Sequence, residues 1–291
     1  MRKIKKGDKA LNIFFTAVIV VAVLMTIIPF LNVIATSLSS PEGITSGKVW
    51  IWPVGLNFEA YRTVFTDASM IWALFYTVIL TFAYTAVAMM LTILLAYPLT
   101  KTHLKGRKIF TFIFVFTMYF NGGVIPEYIL FKQLHIINTV AVLIIPGALS
   151  VYNMIILKTF LTELPSSIEE SASLDGASDF CILFKIVLPL SKPILATLCL
   201  FYAVFRWNTF QDILYYVTNA KLYSIQMKLN MLINITQSSE LTQFEGANLG
   251  KIVAENIKSA SIVFATVPII LVYPWLQKYF VTGMTLGAVK G

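Results

Sequence analysis

The residues best suited to chemistry form a charged island, residues 161–192, within an otherwise apolar chain. Carboxylates at Glu169, Glu170 and Asp175 surround the small residues Ser171 and Ala172. No nucleophile and base stand at a catalytic spacing here, so the pattern favours recognition over catalysis. Small residues allow close approach to a partner, and clustered carboxylates disfavour an ordinary interfacial helix, because anionic headgroups repel them. We therefore interpret the island as a docking segment.

Helix signals within the island predict its shape. Ser166 and Ser167 each precede a glutamate by three residues, which is the spacing of a capping box at a helix start. Gly176 is expected to end this first helix in a left-handed turn. Ser178 then begins a second helix, which we expect to stop before Pro189. The predicted unit is a short helix, a glycine bend and a second helix.

Composition places these elements in a membrane. Hydrophobic residues make up 58% of the chain, charged residues 12%, and the mean hydropathy is +0.80, whereas soluble domains are about 25% charged. A bilayer-spanning helix needs about 20 apolar residues. Suitable stretches are residues 11–34, 71–99, 109–125, 140–157, 190–205 and 259–276. We predict an all-α integral membrane protein with six transmembrane helices, residues 1–291 forming a single domain.

Basic residues set the predicted orientation. More than half of the 22 Lys and Arg fall near the two termini, in the 101–108 loop and in the island, which predicts that both termini and the island are cytoplasmic. The first apolar stretch is expected to be a retained helix, because it is longer than the core of a signal peptide. The longest outer loop is residues 207–257. Cys181 and Cys199 are expected to be free thiols.

Several classes of function are disfavoured. The six predicted spans hold no Asp, Glu or His, whereas ion-coupled carriers need ionisable groups there. His103 and His135 fall in loops, so no metal site is expected. Residues 246–252 resemble a phosphate-binding loop, but the glycine spacing is one residue short and Ile252 replaces the Ser or Thr. We expect no nucleotide, nucleic acid or cofactor on this chain.

At this point a family resemblance is clear. Residues 170–177, followed by 186–193, resemble the EAA loop of ABC importer permeases, with Ser171 in place of the usual first alanine. Residues 121–126, 152–154 and 207–210 are similar to the carbohydrate branch of that family, as is the tail 281–291 from Gly283 onward. The likeness covers essentially the whole chain. It implies a type I importer permease with a cytoplasmic coupling helix in the loop 161–189, located in the plasma membrane.

The resemblance also implies partners: a second permease, two ATPase subunits that carry ATP and Mg, an extracellular sugar-binding protein and an oligosaccharide substrate. The residues implied in ATPase coupling are Glu169, Glu170, Ser171, Ala172, Asp175, Gly176, Ala177, Leu188 and Pro189. Those implied in an ATPase-contacting tail are Leu286, Gly287, Lys290 and Gly291. Aromatic and amide side chains suit a sugar, and the candidates for the substrate path are Tyr119, Asn121, Asn153, Trp207 and Asn208.

Two other functions stay open. The chain could be a membrane scaffold that recruits a cytoplasmic partner without transporting anything; polar residues converging on a membrane cavity would distinguish a permease from it. A channel ranks lower, since no ring of charge or filter-like repeat is present.

Overall fold

The structure is a computed structural model that describes residues 6–120, 122–241, 254–272 and 274. Within those ranges the chain is helical, and extended pairing is limited to one isolated bridge between Ser39 and Leu56. The prediction of a mostly helical protein is therefore confirmed for the part of the chain described.

Long apolar helices account for three of the predicted spans. Helix α1 is Lys6–Ser37, α4 is Ala68–Ala96 with a 3-10 turn at Pro98–Thr100, and α15 is Ala254–Val272. Between the first two lie α2, Pro41–Thr45, and α3, Glu59–Thr66. All three long helices are apolar and long enough to cross a membrane.

The third predicted span is not one helix. Helix α5, Arg107–Tyr119, ends early, and α6, Val124–Gln133, restarts at an angle of 118°. Gly123 precedes α6 with a φ of 87°, a left-handed conformation that glycine adopts without steric cost. Helix α5 ends at Tyr119, so the bounds 109–125 predicted for this span were wrong at their C-terminal end.

The fourth predicted span is also broken. Helix α7, Val140–Ile144, and α8, Val151–Thr162, are separated by a loop that contains Pro146 and Gly147. Proline cannot donate a helical hydrogen bond. Ser150 then begins α8 by accepting a hydrogen bond from the Asn153 amide at 3.3 Å. Apolar residues on both sides of Pro146 and Gly147 concealed this break.

The island folds as a helix, a bend and a second helix. Helix α9 is Ser166–Leu174, α10 is Asp179–Ile182, a π-turn spans Leu183–Val187, and α11 is Leu188–Leu190. Helix α12, Lys192–Asn208, follows at 84° to the preceding segment. Pro189 lies inside the second helical segment, so the prediction that it stops before Pro189 was wrong. The π-turn immediately before it is a usual way for a helix to absorb such an irregularity.

The remaining helices belong to the predicted outer loop 207–257. They are α13, Gln211–Tyr216, a 3-10 turn at Ala220–Leu222, and α14, Ile225–Leu241. Within the described ranges, three helices qualify as spans, or five if each bent pair counts as one, and α8 is a further short apolar helix. Six spans and inward-facing termini stay predictions.

The chain divides into two compact units. Of the described residues, one unit combines 6–71 with 229–241 and 254–268, and the other combines 72–228 with 269–272 and 274. In the first, the Asn256 side chain donates to the carbonyls of Thr36 at 2.8 Å and Ser39 at 3.1 Å. In the second, α4, α8 and α12 contribute to one core, whose fully buried members include Tyr84, Met154, Leu157, Leu198 and Tyr202. This second unit holds the candidate site.

Candidate functional site

Gly176 ends helix α9 in a left-handed turn, as predicted. Its φ is 83°, its amide donates to Ser173 O at 3.0 Å, and the Ala177 amide donates to Ala172 O at 3.0 Å. These two hydrogen bonds define a Schellman motif. A Cβ at Gly176 would meet nothing within 4 Å, so backbone conformation, and not lack of space, is what calls for glycine here.

An ion pair fixes α9 to the loop that follows α4. The Lys101 ammonium pairs with the Glu169 carboxylate and lies 4.3 Å from the centre of the Tyr97 ring. Partial burial acts to lower the pKa of Lys101, but the interactions with Glu169 and Tyr97 outweigh it and raise that pKa above its ordinary value. The lysine therefore stays charged, and the pair is kept, well above neutral pH.

The capping box predicted for α9 is absent. Pro165 occupies the N-cap position, and the helix start has no side-chain cap hydrogen bond. Glu169 pairs with Lys101 instead, a contact across 68 residues that local spacing could not reveal. Ser166 and Ser167 are both exposed.

One face of α9 is attached to the core and the other is free to meet a partner. Ala172 and Ala177 pack against the core of the second unit, as does Leu188 beyond the π-turn. The exposed coupling residues are Glu170, Ser171, Asp175, Gly176 and Pro189. Leu174, in the last turn of α9, is 89% exposed. An exposed leucine beside two carboxylates makes a small amphipathic surface on a rigidly held helix.

A second feature of the same unit is a cleft of about 760 Å³. Its lining is mostly apolar and aromatic, with one amide side chain, Asn153, which is 6% exposed. The lining residues are Tyr84, Gly147, Leu149, Ser150, Tyr152, Asn153, Leu200, Phe201, Tyr202, Val204 and Phe205. Ring faces with a few polar groups are suited to an amphipathic organic ligand.

Hydrogen bonds hold the aromatic walls of the cleft in place. The Tyr84 hydroxyl donates to the Gly147 carbonyl. The Tyr202 hydroxyl lies 2.6 Å from Thr92 Oγ1 and accepts from the Ser150 amide at 3.3 Å. The Tyr84 and Tyr202 rings meet edge to face, 6.3 Å apart. These bonds tie α4, the α7–α8 loop and α12 together, so the cleft is largely pre-formed.

Of the five residues predicted for the substrate path, Asn153 alone lines this cleft among those that the structure describes. Trp207 is buried with its indole N–H unpaired. The Asn208 amide donates to the Val204 carbonyl at 2.8 Å within its own helix, and Tyr119 is 85% exposed at the end of α5. Asn121 lies outside the described residues. Sequence reasoning missed Tyr84, Tyr152 and Tyr202 as cleft residues. Tyrosine is common in this chain, so residue type alone did not distinguish these three.

A buried charge next to the cleft was also missed. Arg206 is 3% exposed and forms a two-pronged ion pair with the Asp212 carboxylate. It also donates to the carbonyls of Leu143 at 3.1 Å and Thr209 at 3.2 Å. The guanidinium lies 5.9 Å from the Tyr84 ring centre. One side chain thus joins α7, α12 and α13 behind the cleft wall.

Long apolar helices, together with pairs of apolar helices joined at a sharp bend, define a multi-pass helical membrane protein. Residues 69–286 match the family described as binding-protein-dependent transport system inner membrane component, and the chain belongs to that family.

Specific relatives agree with this assignment. The chain is 40% identical over 268 residues to the polygalacturonan/rhamnogalacturonan transport system permease protein YtcP of Bacillus subtilis (strain 168), covering 92% of this chain and 94% of YtcP. Protein LplC of the same organism is 40% identical, with 92% and 90% covered. A crystal structure of a bacterial ABC transporter involved in the import of the acidic polysaccharide alginate is 29% identical, with a TM-score of 0.86, and covers 96% of this chain and all of the matched chain.

Several predictions fall outside the described residues. These are the tail residues Leu286, Gly287, Lys290 and Gly291, and the whole phosphate-loop-like stretch 246–252. Cys181 and Cys199 are both described, and neither forms a disulfide.

Proposed function

We propose that this chain is a pore-forming permease subunit of an ATP-driven importer, and that it translocates an oligosaccharide delivered by an extracellular binding protein. Membership of the binding-protein-dependent family supports the mode of transport. The names of YtcP and of the alginate transporter support a carbohydrate substrate. ATP and Mg are expected on separate ATPase subunits, and a second permease is expected to complete the pore.

The observation that carries this proposal is the way α9 is presented. A docking helix can transmit motion only if it moves with the rest of the membrane domain. Helix α9 meets that requirement: the Lys101–Glu169 ion pair, the packing of Ala172 and the Schellman turn at Gly176 hold it from three directions. We propose that Glu170, Leu174 and Asp175 face the ATPase.

The aromatic cleft is the proposed part of the substrate path. Sugars present apolar ring faces and hydroxyl edges, which match tyrosine rings and an asparagine amide. Tyr152 is exposed and Asn153 adjoins it on α8, so the two offer both kinds of contact. The long outer segment 219–255 is proposed to face the binding protein, and Leu286 to Gly291 to reach the ATPases.

Reconstitution tests the proposal. The full chain, its partner permease, the ATPase and the binding protein are placed in vesicles, and ATP hydrolysis and oligosaccharide uptake are measured with loaded and unloaded binding protein. We expect loaded binding protein to stimulate hydrolysis and uptake together. A non-transporting scaffold would instead be supported by stimulated ATP hydrolysis without uptake of any carbohydrate offered. Assembly of the complex with neither stimulated hydrolysis nor uptake would support it as well.

A further inference from the structure

Two adjoining cavities lie between α5 and α8, and neither shares a lining residue with the cleft. Their volumes are about 880 and 430 Å³, and they share Thr111, Val115 and Lys158 in their linings. Both are at the end of α8 from which the chain continues to α9. Because they share these three lining residues, we infer that they form one groove, which runs from the start of α5 along the side of the helix pair.

The mouth of the groove is basic. Arg107 and Lys108 line it from the first turn of α5, and Lys158 lines it from α8. The Lys158 ammonium donates to Thr111 Oγ1 at 3.3 Å, and none of these three cations has a carboxylate within ion-pair distance among the described residues. One carboxylate, Glu163, lines the far end of the smaller cavity. Three cations against one anion leave the groove positive.

The walls are apolar. Ile109, Phe112 and Val115 line the groove from α5, and Ile155 lines it from α8. Ile109 and Phe112 are both exposed, as expected for helix surfaces that face lipid. A positive mouth continuous with an apolar channel is complementary to a molecule with an anionic head and a hydrocarbon tail.

We propose that this groove binds one anionic phospholipid. Its phosphate is held between Arg107 and Lys158, and one acyl chain lies along Phe112, Val115 and Ile155. The arginine fork can donate two parallel hydrogen bonds to a phosphate, and the lysine contributes a point charge. The lipid would brace α5 against α8, the helix that leads into the coupling segment.

The test is native mass spectrometry of the detergent-solubilised transporter complex, titrated with phosphatidylglycerol or phosphatidylcholine. We expect selective binding of phosphatidylglycerol. Removing both charges with Arg107→Gln and Lys158→Gln should weaken it about 30-fold, which corresponds to about 1 kcal/mol for each basic side chain. The matched control is Lys185→Gln with Lys192→Gln, which removes two exposed charges from outside the groove.

Conservative exchange keeps the test independent of folding: Arg107→Lys with Lys158→Arg should bind within about threefold of the original protein. Equal affinity for the two lipids, or equal loss in the control variant, would overturn the proposal. Displacement of the lipid by glycerol phosphate, which has no acyl chain, would assign the groove to free phosphate instead. If the variant with Arg107→Gln and Lys158→Gln binds lipid normally but no longer retains the ATPase subunits, the basic mouth is a protein contact instead. None of these readouts depends on transport.

Discussion

Arg206 shows how a single charge is accommodated in an apolar core. Its hydrogen bonds reach three short segments: one goes to Leu143 at the end of α7, one to Thr209 after α12, and two to Asp212 in α13. A buried ion pair adds little net stability, but breaking it leaves an uncompensated charge. Its role is therefore to specify how these segments meet.

Neutralising the carboxylate of this pair should destabilise the protein. We expect Asp212→Asn to lower the unfolding free energy by about 2 kcal/mol. The loss is smaller than for a fully buried pair, because Asp212 is partly exposed and two carbonyls still accept hydrogen bonds from Arg206. That should lower Tm by about 5 °C in detergent. The exposed carboxylate variant Glu42→Gln serves as the control. Replacing both partners, with Arg206→Met and Asp212→Leu, should recover part of the loss; no recovery would contradict this explanation.

The Lys101–Glu169 pair should matter more for coupling than for stability. Pairs with this exposure contribute about 0–1 kcal/mol, so Lys101→Met should leave Tm nearly unchanged while it lowers uptake per ATP hydrolysed. The exchanged pair, Lys101→Glu with Glu169→Lys, should restore coupling, and Lys105→Met should have no effect. If the exchanged pair behaves like the single variant, the ion pair does not position α9.

The pH dependence of this pair follows from the raised pKa of Lys101. A group whose pKa is raised on folding contributes stability below its unfolded value, and loses it as pH rises through the folded value. Because the ordinary value for Lys101 is 10.5, the contribution of the lysine charge should be constant from pH 6 to about pH 9. The ratio of uptake to ATP hydrolysis should therefore differ between the original protein and Lys101→Met by the same factor at every pH in that window.

Among the elements, the turn after α9 offers the sharpest test of the coupling proposal. Gly176→Val forces a β-branched residue into a left-handed conformation, at a cost of about 1 kcal/mol or more. We expect normal membrane insertion with hydrolysis uncoupled from uptake. Gly47→Val is the matched control, because Gly47 has a φ of 66° and equally open surroundings in another loop. Normal uptake by the Gly176 variant would count decisively against the assignment.

Sequence reasoning predicted elements well where local chemistry decides them. The left-handed glycine, the start of α10 at Ser178 and the long helices α1, α4 and α15 all depend on residues close in sequence. It failed where apolar composition continued through a break, as in 109–125 and 140–157. Hydropathy measures solvent preference and does not report a glycine or proline that turns the backbone.

The candidate site was predictable to a lesser extent. Family resemblance located the coupling segment, but its attachment through Lys101 joins residues far apart in sequence, as does the meeting of Tyr84 and Tyr202 in the cleft. In the sequence, Asn208 and Trp207 were as good candidates for the substrate path as Asn153. Only tertiary packing distinguishes an amide that is hydrogen-bonded within its own helix from one that lines a cavity.

At the scale of the whole molecule, the cleft and the coupling helix belong to one compact unit, and variants should separate their functions. We expect Tyr152→Ala and Asn153→Leu to depress oligosaccharide uptake about tenfold while basal ATP hydrolysis persists. Asn208→Ala is the control, since that side chain is engaged within its own helix. Unchanged uptake kinetics in both cleft variants would remove the cleft from the substrate path.

The brevity of α8 has a consequence for biosynthesis. Its 12 residues extend about 18 Å, well short of the ~30 Å of hydrocarbon in a bilayer. Such a segment partitions poorly from the translocon as a single helix. Its core partners Leu198 and Tyr202 lie on α12, which follows α8 in the chain and reaches the membrane after it. We expect residues 140–162 to insert late and post-translationally. In nascent chains truncated before α12, a cysteine or a glycosylation acceptor site introduced into this region should therefore be accessible to a water-soluble thiol reagent or to the glycosylating enzyme.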